Sequence, residues 1–357
     1  MPIPPSANVP PVADPNHVLV ALSGGVDSAV AVRILQQQGF LVEGAVISFS
    51  PAHQKAVEAA GRAAEELGIH LEILHCEALF EKKIIEPFCK TYAEGRTPSP
   101  CVLCNPEVKF RVLQEEADKR GIHWIASGHY ARCEPWRGGY AIARAASAAR
   151  DQSYMLYRLP QRVLERLCLP LGDFKKEEIR RMATENKLSC ADAPDSQEIC
   201  FIPQGDYTSF IENRGITGKQ GRLFGPDGQD LGAHRGVIHY TVGQRKGLGV
   251  ALGEPVFVRS IEKNGDIYLA RTGGEYAEGI GIADTVFTGG APVKAGARYE
   301  VKIRSAAKAV PCRILAAKEG RVEIGFLSPQ RAAAPGQHAV LYEGEYIVGG
   351  GEIDTVF

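Results

Sequence analysis

Ser23-Gly24-Gly25-Val26-Asp27-Ser28 is the stretch that leaves this chain the fewest options. It follows an apolar run, His17 to Leu22, and opens an apolar-periodic segment, Ala29 to Gln38, so a strand, a tight loop and a helix are expected to meet there. Two successive glycines allow positive φ angles and bring bare N–H groups close to an oxyanion, while the helix behind them points its positive end at the same spot. Ser23 and Ser28 are expected to add hydroxyl donors. Asp27 is the oddity: a carboxylate repels bound phosphate unless a cation sits between them or the side chain only caps the helix. Magnesium would supply that cation.

The chain has no Lys after the glycines, which argues against the G-x-x-x-x-G-K-[ST] loop for terminal phosphates. S-G-G-x-D-S instead resembles the pyrophosphate loop of enzymes that split ATP between its α and β phosphates and adenylate a substrate. An ordinary glycine-rich strand-to-helix turn is the bland alternative.

Downstream, strand-like and helix-like segments alternate: Leu41 to Ser48, Lys55 to Leu67, Leu71 to Cys76, Leu79 to Glu94 with a kink or break expected at Pro87, Glu107 to Arg120 and Trp124 to Ser127. Strands separated by helices predict an α/β domain with a parallel sheet covered on both faces. Ligands of such sheets gather at the carboxyl ends of the strands, which puts Ser23 to Ser28, Ile47-Ser48 and Gly128-His129-Tyr130 on one rim. Between Gly95 and Pro106 three prolines are expected to forbid a regular helix and to stiffen a loop that presents Cys101 and Cys104 at C-x-x-C spacing. A helical segment, Lys175 to Asn186, precedes the stretch Asp195 to Ile202, which carries Cys200.

From about Gln204 glycines become frequent and helical periodicity is lost. Short strands are expected at Val237 to Thr241, Val256 to Ile261, Asp266 to Ala270, Arg298 to Arg304, Pro311 to Ala316, Arg321 to Phe326, His338 to Tyr342 and Glu345 to Val348. This predicts a small mixed module followed by a β-barrel. Within it, Arg245 and Lys246 stand among four glycines in a loop suited to phosphate contacts. Lys302 and Arg304 are expected to share a strand face, where a plain solvated face is the competing reading.

Of the 357 residues 45% are hydrophobic and the net charge is −1, which suits a soluble globular chain of two or three domains and leaves any RNA partner to be met by a local patch. Nine cysteines without a secretory segment point to a reducing, cytoplasmic setting rather than a disulfide framework. Residues 1–16 hold six prolines and read as a disordered leader. No apolar run reaches the roughly 18 residues of a membrane span. Cys76, Cys89, Cys168 and Cys312 read as small core hydrophobes, and His70, His75 and His123 as ordinary surface or strand-end histidines.

S-G-G-V-D-S, P-C-V-L-C-N, G-H-Y, R-D-Q-S-Y, D-S-Q-E-I-C-F-I and H-Y-T-V-G-Q-R-K-G-L-G, in this order, resemble the tRNA-specific 2-thiouridylases from His17 to the C-terminus. The resemblance implies an adenine-nucleotide hydrolase-like domain at 17–203, a small central domain at 204–275 and a C-terminal β-barrel that grips tRNA at 276–357. It implies ATP-dependent replacement of the C2 oxygen of the wobble uridine in the glutamate, glutamine and lysine tRNAs by sulfur from a desulfurase, a relay protein or sulfide. Ala21, Leu22, Ser23, Gly24, Gly25, Val26, Asp27, Ser28, Ile47 and Gly128 would bind ATP. Cys104 and Cys200 match the catalytic and persulfide-carrying cysteines. Ser99, Pro100, Cys101, His129, Arg150, Asp151, Gln152, Arg245, Lys246, Arg304, Ser305 and Gln337 fall on segments that meet the tRNA or its target base, where the Gln152 amide could bond both a donor and an acceptor of uracil.

The chemistry fits these residues, since a uracil C2 oxygen leaves only once adenylated, and sulfur must then arrive as a nucleophile. One departure matters. Many relatives carry aspartate three residues before the catalytic cysteine, and here that residue is Cys101. Cys101, Cys104 and Cys200 would suit a [4Fe–4S] cluster with one open iron. A persulfide route with Cys101 as a spare or resolving thiol, and structural zinc, are the alternatives. A small-molecule adenylating ligase, or an RNA-binding protein with a metal clip, would each leave part of these motifs idle.

Overall fold

The structure, a computed structural model, describes residues 15–50, 53–194, 199–202, 205–288 and 291–357. Most of the leader and Asp195 to Glu198 lie outside the described residues. In chain order the first elements are β1 (His17–Ala21), α1 (Val26–Gln37), β2 (Leu41–Ser48), α2 (Gln54–Leu67), β3 (Leu71–His75), α3 (Glu77–Phe80), α4 (Glu86–Ala93), α5 (Pro100–Cys104) and α6 (Phe110–Lys119). There follow β4 (Trp124–Ser127), β5 (Arg132–Trp136), β6 (Gly139–Ala143), α7 (Gln161–Leu164), β7 (Leu167–Cys168), α8 (Lys176–Glu185) and α9 (Tyr207–Glu212). The remainder is strand: β8 (Arg222–Phe224), β9 (Asp230–Ala233), β10 (Val256–Ile261), β11 (Ile267–Arg271), β12 (Tyr276–Phe287), β13 (Arg298–Lys302), β14 (Val310–Lys318), β15 (Arg321–Arg331), β16 (His338–Glu343) and β17 (Tyr346–Val356).

The contacts divide the chain into two compact units. The first, Met1–Lys83 with Cys101–Phe201 and Glu345–Ile347, is built on a parallel sheet of order β3-β2-β1-β4-β7. Val18, Leu19 and Val20 of the central strand are fully buried, so apolar side chains line both faces, as an α/β sheet demands. Val30 and Ile34 of α1, Ala60 and Ala64 of α2, and Ile179 and Ala183 of α8 share one core with Val18 and Val20. Each fully buried valine or isoleucine there contributes on the order of 1.5–3 kcal/mol. This core sets α8 against α1, and the strand order reverses beside β1, whose carboxyl end faces the crevice between β1 and β4.

The second unit, Ile84–Pro100 with Ile202–Gly344 and Val348–Phe357, contains two sheets. A small one runs β10-β11-β8-β9 around Leu223, Tyr240, Val258 and Leu269. Tyr92 at the end of α4 stacks on Tyr207 at 4.4 Å. The other sheet runs β12-β15-β14-β13-β16-β17 and closes through β12–β17 pairing into an antiparallel barrel.

Three expectations need correction. Pro100 is tolerated as the first residue of α5 and Pro106 early in a π-turn, Asn105–Lys109, so this proline-rich span is helical. Pro87 does interrupt its helix, preceded by another π-turn at Glu81–Ile85. Val237–His239 is a 3₁₀ turn and not a strand: the His239 N–H bonds Gly236 O at 3.2 Å and the Tyr240 N–H bonds Val237 O at 3.0 Å, each three residues back. Strand β12 was not expected, because Gly279 and Gly281 weaken its pattern; a Cβ there would lie 2.4 Å from the Phe357 ring and 2.3 Å from Thr355 Oγ1, so the glycines admit the partner strand. Among the described residues no helix is long and apolar enough to cross a membrane.

Candidate functional site

Leu22 follows β1 and donates its N–H to Ala45 O at 2.9 Å, fixing where the loop leaves the sheet. Only Gly24 takes the positive φ expected of both glycines, at 76°, and a Cβ on it would lie 2.6 Å from Ala59 and Ala60 of α2. Gly25 is extended, at φ −85° and ψ 161°, and starts α1 without a side-chain cap, so the first N–H groups of a 12-residue helix are left for an anion. Ser28 has a different task from the one expected. Its hydroxyl accepts the Ser23 N–H at 3.1 Å, donates to Gly25 O at 3.0 Å and meets Ser23 Oγ at 3.1 Å, so it stitches the loop. Gly128, past β4, rests on the first turn of α1, where a Cβ would be 2.8 Å from Ser28 N and 2.9 Å from the Asp27 carbonyl carbon. Ile47 is buried near the end of β2, and Val26 is buried at the start of α1.

The cation that Asp27 requires is a side chain. Lys176 Nζ lies 2.7 and 2.8 Å from the two Asp27 carboxylate oxygens, and Tyr130 Oη donates to Oδ1 at 2.7 Å. Lys176 is only 4% exposed at the start of α8. Asp27 thus has an ammonium and a phenol on its carboxylate, and the sequence reading had missed Lys176.

Cys101 and Cys104 stand three residues apart on α5 and therefore share a face. The following π-turn is marked by the Phe110 N–H bonding Asn105 O, five residues back, beside the proline that has no N–H to give. Asn105, 2% exposed, anchors it by donating to Met155 O at 2.9 Å. Cys101 and Cys200 are exposed and Cys104 is buried. Although Cys101 and Cys200 keep accessible surface, desolvation by the protein atoms crowded around them pushes all three thiols up, Cys104 to about 12 and Cys200 to about 11. Cys104 feels Cys200, Cys101 and Cys76 as neighbouring charges, so the three expected thiols are electrostatic neighbours, and Lys109 opposes the rise in each. Lys109 was not singled out in the sequence, because no local period marks it, and Cys76, read there as a small core hydrophobe, is buried. Among the described residues no three His, Cys, Asp or Glu side chains converge as a metal-holding group, so the three thiols as placed do not fit the expected cluster.

Burial and then the charge of Lys109 hold His129 well below 6.5, so it is a neutral hydrogen-bonding group, with Nδ1 2.8 Å from Ser127 Oγ. Arg150 is exposed on its loop. Asp151 accepts from Ala145 N, Ser153 N and Ser153 Oγ at 3.0–3.2 Å and so staples the segment. Gln152 Oε1 accepts the Tyr130 N–H at 2.9 Å, which leaves its NH₂ as the end able to meet a base.

In the second unit, Arg245 and Lys246 are exposed, and among the described residues neither side chain is bonded. The other expected RNA contacts there are differently placed. Lys302 is 9% exposed, and Arg304 lies past the end of β13 with its guanidinium donating to Arg331 O at 2.8 Å and Ala332 O at 2.9 Å, so the two do not form a solvated strand face. Ser305 is half-buried beside it. Ser99 donates to Gln337 at 3.2 Å, and Pro100 opens α5.

Residues 16–204 match the family described as tRNA methyl transferase HUP domain, 208–271 the tRNA methyl transferase PRC-barrel domain, and 277–353 the aminomethyltransferase beta-barrel domain. The chain is 40% identical to the tRNA-specific 2-thiouridylase MnmA of Acetivibrio thermocellus, over 94% of this chain and 98% of that one. It is 38% identical to the enzyme of the same name from Carboxydothermus hydrogenoformans, over 94% and 97%. Among solved structures, NMN synthetase from Francisella tularensis aligns over 51% of this chain and 66% of its own at 14% identity and a TM-score of 0.34, a likeness too slight to argue from.

Proposed function

Because the chain belongs to the tRNA-specific 2-thiouridylase family, we propose that it uses ATP to replace the C2 oxygen of the wobble uridine of tRNA by sulfur. Residues 17–203 act as the catalytic domain, 204–275 as the central domain and 276–357 as the tRNA-gripping barrel. The observation that carries this reading is that the unit holding the phosphate loop Ser23 to Ser28 also holds Cys101, Cys104 and Cys200 as electrostatic neighbours. A ligase would need only the loop, and an RNA-binding protein neither.

In this reading the free N–H groups at the start of α1 hold the ATP phosphates, with Lys176 beside them balancing Asp27. The uridine O2 bonds to the α phosphorus and pyrophosphate leaves. Cys200, loaded as a persulfide by a sulfur donor, attacks C2 with its terminal sulfur, and AMP departs with the former uridine oxygen. Cys104 then attacks the Cys200 Sγ, the persulfide S–S bond breaks, and thiouridine is released beside a Cys104–Cys200 disulfide that an external dithiol reopens. An iron–sulfur cluster on Cys101, Cys104 and Cys200 would require those thiols to rearrange from where they stand. Magnesium would arrive with ATP. All nine cysteines are free thiols, in keeping with a reducing, cytoplasmic setting.

The test is labelled ATP with and without bulk tRNA. AMP and pyrophosphate that appear only with tRNA are expected; ADP, or AMP made equally well without tRNA, overturns the reading.

A further inference from the structure

We infer that a cleft beside Arg245 takes one unstacked nucleotide of the tRNA, an inference that deepens the thiolation reading above and rests on it. The cleft has a volume of about 420 Å³, within the range of roughly 300–1,000 Å³ of small-ligand sites. It lies wholly within the second unit, between the loop that carries Arg245 and the start of β10. Leu248, Val250, Pro255 and Val256 give it apolar walls, and Arg245 and Glu254 are its charged groups.

The loop is anchored from below. Leu248 is 5% exposed and packs with Tyr240, Val256 and Val258, and Val250 and Leu252 lie against the same core. Gln244 stitches the turn that precedes it: Oε1 accepts the Thr241 N–H at 2.9 Å, and Nε2 donates to Lys246 O at 2.9 Å. Gly247 and Gly249 take φ 72° and 75° on either side of Leu248, the alternation of hand that gathers successive N–H groups into an anion-binding concavity. Among the described residues no N–H from Gly247 to Ala251 finds a protein acceptor, and the Arg245 side chain is unbonded.

Shape and charge select the occupant. Apolar walls suit a planar base, and a guanidinium with open N–H groups suits its phosphate. Bases in RNA loops can leave the stack, whereas bases paired in a stem cannot, so the cleft fits a loop nucleotide. One guanidinium balances the single charge of a phosphodiester. A free triphosphate would bring several charges against Glu254, whose carboxylate is already held by Arg271 Nε at 2.9 Å. Lys246 is exposed next to Arg245 but outside the lining, where it can meet a neighbouring phosphate of the same strand, which a free mononucleotide does not have.

The test uses the full chain with tRNA transcript. Ala251 is exposed in the lining, so Ala251→p-benzoylphenylalanine, irradiated and mapped by reverse transcription, should crosslink to one loop nucleotide. A transcript abasic at that nucleotide should bind wild type about 5- to 10-fold more weakly, the low end of what losing a stacked base costs. Ala251→Trp, which fills the cleft, should lose as much, and the two changes together no more than either alone. Its salt slope should stay that of wild type, whereas Arg245→Ala should reduce the slope by roughly 0.7–0.9. The abasic arm needs no change in the protein, so a variant that fails to fold does not decide the question. Crosslinks scattered over the tRNA, or full affinity in the abasic transcript, would reduce the loop to a phosphate contact and overturn the inference. AMP or CMP displacing tRNA from wild type but not from Ala251→Trp would give the cleft to a free nucleotide and overturn it too. If wild type binds tRNA but makes no thiouridine, the thiolation reading fails while the crosslink and abasic arms still decide what the cleft holds.

Discussion

Lys176 and Asp27 stand 149 positions apart in the chain, yet the ammonium of one lies 2.7 and 2.8 Å from the two carboxylate oxygens of the other. In the proposed reaction the pair would keep a negative charge beside the loop Ser23 to Ser28 from repelling ATP. Lys176→Met should therefore lower tRNA-dependent AMP formation by about 100-fold or more, with tRNA affinity little changed. Asp27→Ala should have a similar effect, since it strands a buried ammonium. Pre-steady-state AMP release and a tRNA binding isotherm check both, and full AMP formation by Lys176→Met would exclude the role.

The two glycines of the loop are not equivalent. Gly24→Ala should cost about 2–4 kcal/mol, from left-handed strain together with overlap with α2. Gly25→Ala meets only Ser23 Oγ, at 3.6 Å, and should cost no more than about 1 kcal/mol, while weakening ATP because the methyl stands where phosphate approaches. Urea unfolding and nucleotide titration separate the two effects. Equal destabilisation would contradict the geometry.

Thiol reactivity should climb steeply with alkali. A thiol at about 11 is only roughly one part in a thousand thiolate at pH 8, and one at about 12 tenfold less. Iodoacetamide should thus label exposed Cys200 before buried Cys104, each rate rising about tenfold per pH unit. The linkage has the same sign. The folded state holds these protons more tightly than the unfolded chain does, so this contribution is intact below pH about 8.5 and lost as pH rises towards 11–12. Mass spectrometry of labelled peptides and thermal melts read the two trends.

Cys101 separates the sulfur chemistries. In the persulfide route Cys101→Ala and Cys101→Asp should keep thiolation within about threefold of wild type, because Cys200 carries sulfur and Cys104 resolves it. Protein purified without oxygen that contains about four irons per chain, and that loses both iron and thiolation in Cys101→Ala, would show that a cluster assembles by rearrangement and would overturn that route.

RNA affinity should reside in Arg245 and Lys246, the exposed pair with no side-chain bond among the described residues. Replacing both by alanine should weaken all substrate tRNAs alike and reduce the slope of log K against log salt by roughly 0.7–0.9 per contact. Lys302→Ala, at a buried position, should change stability more than that slope. An unchanged slope in the double variant would leave the loop as a solvated tip.

The parallel sheet, the thiol pair and the barrel were all legible because each leaves a local mark: strand-helix alternation, C-x-x-C spacing and closely spaced turn signals. The role of Lys176 was not, since it depends on α8 packing against α1 through Ile179, Ala183 and Val30, and nothing in F-K-K-E-E-I announces the partner. Prolines misled because their effect depends on position. Pro100 at the first turn starts a helix that the same residue would break two turns later. The Gln337 amide, which the resemblance puts among the tRNA contacts, also bonds Thr97, Pro98 and Ser99 of its own chain, which no local pattern announces.

The segment Ile84–Pro100 groups with residues from the other end of the sequence, with Arg96 bonded to Glu352 and Asp354 and Thr97 to Pro335. Modularity in the sequence is therefore not modularity that scissors can use. A fragment cut at residue 203 would keep the sheet and every thiol except Cys312, but would display Arg96 to Ser99 as a severed tether, its charge and backbone groups turned to water. Domain-swap chimeras between relatives would inherit the same fault unless residues 84–100 travelled with the barrel they belong to.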